Sequence, residues 1–279
     1  MTVSILCAQW GYSRQAYYKD LRCMKEMYYI NDQVLAVIGA IRSRQPRVGG
    51  LKLWQMLNKG GIPVGRDKVF RLLGEKGLLV KPRKKRVYTT DSSGWLRQFP
   101  NRVKGLKITR ENQVVVSDIT YIQVGEGFDF LSLITDAYSR YILGHELHAT
   151  LDTTGVSSAL DQALERIGKG KAQGMIHHSD RGCQYCSGDY VKKLKTNGIK
   201  PSTTQDGSPY DNAIAERVNG ILKTEWIDME KFKDIEQARE RISEIIDIYN
   251  NERLHASVNW NTPAEVYYKK KDGTRFIMF

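Results

Sequence analysis

The chain has 279 residues, of which 41% are hydrophobic, and a formal net charge of +12. This length is enough for two domains and at least one sizeable core. Because the sequence contains no run of about 18 apolar residues and only four cysteines, we expect neither a membrane-spanning protein nor a disulfide-stabilised scaffold. The first residues lack the basic and apolar segments of a signal peptide, so we expect a cytoplasmic protein with no membrane partner.

The charge is divided unevenly along the chain. Residues 1–112 carry a net charge of +16, whereas residues 113–279 carry −4. A strongly basic half favours a polyanion as partner, most commonly a nucleic acid. The alternative is a basic surface that only keeps the protein in solution. An acidic half beside a basic one suggests that some of its carboxylates have a function of their own.

The first elements along the chain are predicted to be helices. Residues 2–22 have the pattern of a helix, a turn at Gly11 and a second helix that Ser13 caps. This pattern is typical of a small helix-turn-helix DNA-binding unit, although short two-helix patterns also arise by chance. A separate helix is predicted over residues 31–43.

A second helix-turn-helix is predicted further along the chain. Helices over residues 50–59 and 66–76 are separated by GGIP, which breaks helical structure. The second of these helices places basic side chains away from its apolar face, as a recognition helix in the major groove does. These basic residues are Arg66, Lys68 and Arg71.

A basic run follows these helices. Five of the six residues of KPRKKR are basic, namely Lys81, Arg83, Lys84, Lys85 and Arg86. Such runs usually bind phosphates from a flexible segment or form part of a linker. Because residues 87–112 show no sustained hydrophobic period, we assign residues 81–112 to a basic linker that follows a helical DNA-binding region of residues 1–80.

From residue 113 the pattern changes to strands and helices. Three strands rich in β-branched residues lie close together and predict an antiparallel meander. They precede a helix capped near Asp152, a short strand, a helix ended by Gly198 and another short strand. Residues 206–225 then read as a loop followed by a helix, and a long helix is predicted over residues 234–250. The order βββαβαβα describes a mixed sheet with helices on its faces. It is the element order of an α/β, ribonuclease-H-like fold.

Three acidic residues stand where carboxylates are unusual. Asp118 lies inside a strand of Val and Ile, Asp180 ends the strand MIHHSD, and Glu216 lies near the start of a helix. A structural partner is the common explanation for any one of them. Three such acids in a basic protein favour a shared cation instead, since Mg²⁺ prefers carboxylate oxygens and substrate phosphates. Two such ions about 3.5–4 Å apart suit phosphodiester chemistry.

The segments around these acids resemble those of a known family. VSDITYI, HHSDRGCQY and SPYDNAIAERVNGILKTE closely resemble the three catalytic blocks of the integrase-core insertion-sequence transposases, in their OrfB-type subunit. The C-terminal signature of that family is matched by YNNERLHASVNWNTPAEVY, and its upstream helical module by PRVGGLKLWQML and RDKVFRLLGEKGL. The resemblance covers nearly the whole chain. It implies a retroviral-integrase-type catalytic core over residues 113–253 and a C-terminal tail over residues 254–279.

The resemblance implies a DDE-type enzyme that cleaves and joins DNA strands. Asp118, Asp180 and Glu216 would be its catalytic residues and would hold two Mg²⁺ or Mn²⁺ ions. Water would first free a 3′-OH at the end of the element, and this 3′-OH would then attack a second phosphodiester. The expected partners are DNA of the element ends and target, further copies of this chain, and an upstream-frame, OrfA-type protein. The expected location is the nucleoid.

Three residues near Glu216 are secondary predictions. Asn219 and Lys223 follow Glu216 by three and seven residues and share its helix face. We expect them to contact DNA near the scissile phosphate, with a solvated helix flank as the alternative. Asp211 or Asn212 is predicted to cap this helix.

The strand before Asp180 raises two further alternatives. His177 or His178 could orient a metal-bound water or a phosphate, and a hydrogen-bonded structural histidine is the alternative. Arg181 is expected to contact a phosphate or to cap the site. The two histidines and the cysteines of CQYC could also be read as a zinc set. We disfavour zinc, because this strand must deliver Asp180.

Two other functions fit parts of the pattern. A regulatory copy that binds DNA without cutting it would need only the basic half. A ribonuclease-H-like nuclease would share the core. The presence of all three acids disfavours the first alternative, and the basic helical modules with the C-terminal signature disfavour the second.

Overall fold

The computed structural model describes residues 2–81, 99–204 and 212–269. The described residues form two compact units, one of residues 2–81 and one of residues 99–204 and 212–269. Outside the described residues lie the cap candidate Asp211 and most of the basic run, namely Arg83, Lys84, Lys85 and Arg86.

The first unit is helical. Its described residues form α1 (Val3–Gln9), α2 (Arg14–Arg44), α3 (Gly50–Lys59) and α4 (Arg66–Glu75). Ser13 caps α2 as predicted, since its side chain accepts a hydrogen bond from the Ala16 N–H at 3.1 Å. The buried apolar core of the unit consists of Val34, Ile38, Val48, Leu53, Leu57, Val64, Val69, Leu72 and Leu73.

Helix α2 corrects one prediction. The second helix predicted in residues 2–22, which Ser13 caps, and the separate helix predicted over residues 31–43 form one helix of 31 residues in the structure. The intervening segment contains neither Gly nor Pro, so nothing in it ends the helix. Although α2 is long, neither it nor any other helix of the described residues is apolar enough to cross a bilayer.

Helices α3 and α4 form the predicted second helix pair. α4 buries Val69, Leu72 and Leu73 in the core of the first unit. Arg66 and Arg71 lie on its exposed side, as predicted. The pattern of apolar and basic residues along α4 therefore separates a packing face from a basic face.

The described part of the second unit is built on one five-stranded sheet. Its strands are β1 (Val114–Val124), β2 (Gly127–Asp136), β3 (Ile142–His148), β4 (Ile176–Ser179) and β5 (Lys200–Thr203). The strand order is β3-β2-β1-β4-β5. β1, β2 and β3 form the predicted antiparallel meander, whereas β4 runs parallel to β1 and β5 parallel to β4. The central strand β1 therefore has one antiparallel and one parallel neighbour.

Helices cover both faces of this sheet. They are α5 (Thr153–Ile167), α6 (Cys183–Cys186), α7 (Gly188–Thr196), α8 (Ala213–Glu225), α9 (Ile235–Asn251) and α10 (Pro263–Tyr267). One apolar cluster joins the sheet to α5, α6, α7 and α10, and another joins it to α8 and α9. Asp152 caps α5 as predicted, by accepting from the Thr154 N–H. The predicted ribonuclease-H-like α/β fold is confirmed.

Parts of the assigned linker and tail pack on this unit. In the linker, the Phe99 N–H donates to Thr203 Oγ1 at 3.1 Å and the Arg102 N–H donates to Ser202 Oγ at 2.9 Å. These bonds attach residues 99–102 to β5. In the tail, the Tyr267 ring stacks on a core tyrosine at 4.9 Å between ring centroids. The second unit therefore includes described residues from both sides of the predicted 113–253 core.

Candidate active site

The register of two parallel strands brings Asp118 and Asp180 together. β1 and β4 pair with Ser117 opposite Ser179. The next residue of β1 is Asp118, and the first residue after β4 is Asp180, so the two acids lie side by side where β4 ends. Asp118 is half-buried and Asp180 is exposed. The carboxyl ends of parallel strands are where α/β sheets place ligand sites.

Helix α8 carries Glu216 to the same place. Two amides attach the helix to β1: Asn212 Nδ2 donates to the Ser117 carbonyl at 3.1 Å, and Asn219 Nδ2 donates to Asp118 Oδ2 at 2.8 Å. Glu216 lies between them, exposed in the first turn of the helix. The Glu216 carboxylate is consequently close enough to Asp118 to act on it electrostatically.

Asn212 does not cap α8 with its side chain, which corrects the prediction of Asn212 as a cap of this helix. It occupies the N-cap position, but its side chain makes no cap hydrogen bond. Its amide is buried and donates instead to Ser117, 95 positions earlier. Because that partner is so distant along the chain, a local pattern in the sequence could not indicate this role.

Both other carboxylates act on Asp118. The pKa of Asp118 is raised to about 7, first by burial and then by the negative charge of Asp180, with a smaller effect of Glu216. The hydrogen bonds from Asn219 and from the Ile119 N–H oppose this rise. The pKa of Asp180 is raised as well, because neighbouring atoms partly desolvate its carboxylate although the residue is exposed at the surface, and the Gly182 N–H opposes this rise. The protein thus holds Asp118 as a carboxylate that is costly to ionise near neutral pH.

The donor chemistry of this site fits a hard divalent cation. All three side chains offer carboxylate oxygens, which Mg²⁺ and Mn²⁺ prefer. A cation beside Asp118 would also neutralise the repulsion that raises its pKa. In the described residues, however, no three His, Cys, Asp or Glu side chains already stand close enough to hold one ion. Asp118 and Asp180 form the converged pair, and Glu216 acts on Asp118 through its charge without completing such a group.

Asn219 is placed differently from the sequence-based prediction. We expected it to contact DNA, but it is only 5% exposed and its amide is committed to Asp118. Its Oδ1 is buried and has no hydrogen-bond partner among the described residues. The helical spacing placed Asn219 correctly near Glu216, and the structure shows that it orients the neighbouring acid.

Lys223 lies one turn beyond Asn219 and is half-buried. Burial lowers the pKa of its ammonium, and the charges of Asp228 and Asp118 oppose this effect. Lys223 is therefore close enough to Asp118 to interact with it. A cation at this position adjoins the carboxylates from the α8 side.

Both histidines of β4 have structural partners. His177 Nε2 lies 2.9 Å from Ser117 Oγ and 2.9 Å from Tyr190 Oη, and burial lowers its pKa to about 3. His178 Nδ1 lies 2.9 Å from Ser202 Oγ. These contacts agree with the structural alternative, in which both imidazoles are hydrogen-bonded inside the fold.

The other candidate residues near β4 are Arg181 and the two cysteines of CQYC, and in the described residues they do not form a metal-binding cluster. Arg181 Nε donates to the Thr204 carbonyl at 2.9 Å, so this guanidinium is partly committed to the backbone. Cys183 is exposed and Cys186 is buried, and both thiols are free. Since the described residues contain no metal-binding cluster of His and Cys, the zinc alternative gains no support.

The basic candidates of the first unit lie at its surface. Arg66 Nε contacts Asp67 Oδ1 at 3.0 Å with both side chains exposed, and Arg71 makes a long 3.9 Å ion pair with an acid one turn later. Lys68 is half-buried and Lys81 is exposed. Such exposed pairs contribute little to stability, so these side chains remain available to a phosphate backbone.

The matches to known protein families agree with the division of the chain into two units. Two profiles described as Integrase core domain match residues 108–209 and 197–263. A third, described as HTH-like domain, matches residues 30–86. The first two include all three acids, and the third includes α3 and α4.

Several proteins named after insertion sequences match most of the chain. The transposase for insertion sequence element IS629 of Shigella sonnei is 35% identical over 217 residues, which are 78% of this chain and 72% of that protein. A putative transposase for IS986/IS6110 of Mycobacterium tuberculosis is 35% identical and covers 80% of this chain and 83% of its own length. The 31 kDa protein of insertion element IS600 of Shigella sonnei is 35% identical over 93% of this chain and 96% of its own. The chain belongs to the integrase-core transposases of insertion sequences and is a DDE-type polynucleotidyl transferase that acts on DNA in transposition.

Proposed function

We propose that Asp118, Asp180 and Glu216 are the catalytic carboxylates of this transposase, and that they hold two divalent ions, Mg²⁺ or Mn²⁺. One observation carries this proposal: Asp118 feels the charge of both other acids, although they come from separate elements far apart in the sequence. A fold gains no stability from gathering like charges. Their convergence is explained by a cation that binds between them.

Divalent ions bound there would stabilise the attacking and the leaving oxygen of an in-line displacement at phosphorus. The chain contributes the geometry. Asn219 orients Asp118, and the N–H of Gly182 donates to Asp180 Oδ1 at 3.0 Å. With both carboxylates held before DNA arrives, less reorganisation is needed during the reaction.

The proposed reaction has two displacements. In the first, water attacks a phosphodiester at the element end, the bond to the 3′ oxygen breaks, and a 3′-OH is released. In the second, this 3′-OH attacks another phosphodiester, a new phosphorus–oxygen bond forms, and the 3′ oxygen of the attacked strand leaves. The protein positions the reacting groups and neutralises charge, and no side chain forms a covalent intermediate.

We further propose that α4 and the basic run from Lys81 to Arg86 bind the DNA backbone, with Lys223 near the scissile phosphate. The exposed Arg66 and Arg71 on α4 support the first part. The position of Lys223 beside Asp118 supports the second. A cation next to the carboxylates suits a phosphate that has to approach three acids.

The reaction also suggests the assembly. One active site joins one DNA end at a time, and an element has two ends, so we propose that at least two copies act together on DNA. An OrfA-type, upstream-frame protein is proposed as a further partner for recognition of the ends. Both would act where the DNA is, at the nucleoid.

The test of the catalytic assignment is Glu216→Gln. Wild-type protein, incubated with oligonucleotides that carry the element end and with Mg²⁺, is expected to join 3′ ends to target DNA. The variant should lose joining by at least about 1,000-fold while its DNA affinity stays within about twofold. The matched control is Glu244→Gln, an exposed acid on α9 that pairs with Arg241. Joining by the Glu216 variant at the rate of that control would refute the assignment.

A further inference from the structure

The phenol of Tyr185 is an unused donor beside the carboxylates. Tyr185 lies in α6, is 4% exposed, and its hydroxyl has no hydrogen-bond partner among the described residues. The neighbouring Tyr190, with its ring centroid 5.8 Å away, is satisfied because its hydroxyl bonds to His177. A buried hydroxyl without a partner destabilises the fold, so its presence needs an explanation.

Tyr185 is attached to the turn that presents Asp180. The Gly182 N–H donates to Asp180 Oδ1 at 3.0 Å, and the Gly182 carbonyl accepts from the Tyr185 N–H at 3.1 Å. A Cβ built on Gly182 would lie 3.0 Å from Asp180 Oδ1 and 3.5 Å from Tyr185 Cδ2. The aromatic ring and the carboxylate therefore flank the same small turn.

The phenol also interacts with both acids of the converged pair. Burial raises the pKa of Tyr185 well above its ordinary value, and the nearby Tyr190, Asp118 and Asp180 raise it further. Both carboxylates thus lie within electrostatic range of this ring. Among the described residues, the hydroxyl of Tyr249 is also buried without a partner, but the charged groups that act on it are Arg253, Arg140, Glu225 and Arg217.

We propose that Tyr185 is a positioning residue of this active site, whose hydroxyl donates a hydrogen bond, directly or through one water, to the Asp118–Asp180 carboxylate pair when the pair holds divalent ions. The inference rests on the metal site proposed above. Without ions the hydroxyl is an unsatisfied donor, and with ions it fixes the orientation of the ligands. Phe at this position keeps the ring and removes only the donor.

The experiment compares Tyr185→Phe with Tyr249→Phe in the full-length protein without DNA. Mn²⁺ affinity is measured by electron paramagnetic resonance of free Mn²⁺, and Tm is measured with EDTA and with Mn²⁺. With EDTA, both variants are expected to melt at or above the wild-type Tm, because each loses an unsatisfied buried hydroxyl. Tyr185→Phe alone should bind Mn²⁺ about threefold to tenfold more weakly.

Three outcomes would overturn the inference. A lower Tm of Tyr185→Phe in EDTA would show that its hydroxyl is already satisfied without ions. Full retention of Mn²⁺ affinity by Tyr185→Phe, in a wild type that binds Mn²⁺, would overturn the role of Tyr185 and leave the metal site intact. Absence of Mn²⁺ binding by the wild type would overturn the proposed metal site together with this inference.

Discussion

Asn219 and Asp118 are joined by a 2.8 Å hydrogen bond between residues 101 positions apart in the chain. The bond connects helix α8 to the central strand β1 at the level of the candidate catalytic site. It is charge-assisted, because the amide donates to a carboxylate. The amide oxygen of Asn219 is buried without a partner among the described residues, so the hydrogen bonding of this side chain is directed at Asp118 through its nitrogen.

Replacement of Asn219 by Ala is expected to lower the rate of strand transfer about 10-fold to 100-fold. The Asp118 carboxylate would lose a donor that orients it, as happens when an outer hydrogen-bond partner of a metal ligand is removed. The rate is measured by single-turnover joining of an oligonucleotide end at saturating Mg²⁺. The control is Asn251→Ala, whose exposed amide donates to Asp247, and an equal loss in the control would contradict this role.

Asp118→Asn is expected to stabilise the metal-free protein at neutral and higher pH. The folded-state pKa of Asp118 is about 7, against a usual value of 3.8, so the folded protein holds this proton more tightly than the unfolded chain. Stability from this group is therefore lost as pH rises from about 4 to about 7. Asn does not titrate, so the variant should gain roughly 1–3 kcal/mol at pH 8 and almost nothing near pH 4.

Urea unfolding in EDTA at several pH values measures this difference directly. A stability difference that is the same at pH 4 and pH 8 would mean that ionisation of Asp118 is not what the substitution removes. Excess Mn²⁺ should reverse the order at pH 8, since the wild type gains binding energy that the variant loses.

Local signals in the sequence predicted most of the elements. Ser13 and Asp152 were identified as caps because a cap depends on a side chain and a backbone N–H only two or three residues apart. The strands and their order along the chain were predicted from runs of β-branched residues and from short connections. The helix predicted after Gly11 and the helix predicted over residues 31–43 are one helix in the structure, because a helix continues where the sequence contains no breaker.

The long-range contacts of the site could not be predicted in the same way. Helical spacing placed Asn219 near Glu216, but its partner Asp118 lies on another element and shares no pattern with it. Likewise, the burial of the Tyr185 hydroxyl depends on how α6 packs. The resemblance to a family identified the acids, while their neighbours' roles depend on packing that only the structure describes.

Removal of the basic side chains of α4 is expected to weaken DNA binding and to reduce its dependence on salt. In the triple variant Arg66→Ala, Lys68→Ala, Arg71→Ala, the slope of log affinity against log salt should fall by up to about 3, because each lost phosphate contact accounts for about 0.9. Fluorescence anisotropy between 50 and 200 mM salt, roughly the range where such slopes are measured, gives this value.

The control for the α4 variant removes the same number of positive charges from the second unit. Lys169, Lys171 and Lys195 are exposed in the second unit, and their replacement by Ala also lowers the net charge by three. This control should change the slope much less than the α4 variant does. Equal slopes for the two variants would mean that net charge, and not contact through α4, governs binding.

A buried ion pair fixes the far end of α8, so its disruption should unfold the second unit more easily. Arg253 makes a two-pronged contact with Glu225 at 2.8 and 2.6 Å, and its side chain is 3% exposed. Arg253→Met would leave the Glu225 carboxylate without this partner, at an expected cost of about 3–5 kcal/mol in urea unfolding. The double variant with Glu225→Leu should recover most of that loss, because apolar residues of similar volume replace a buried pair at little cost. If the double variant is as unstable as the single one, the loss comes from packing around Arg253 and the ion pair is not its cause.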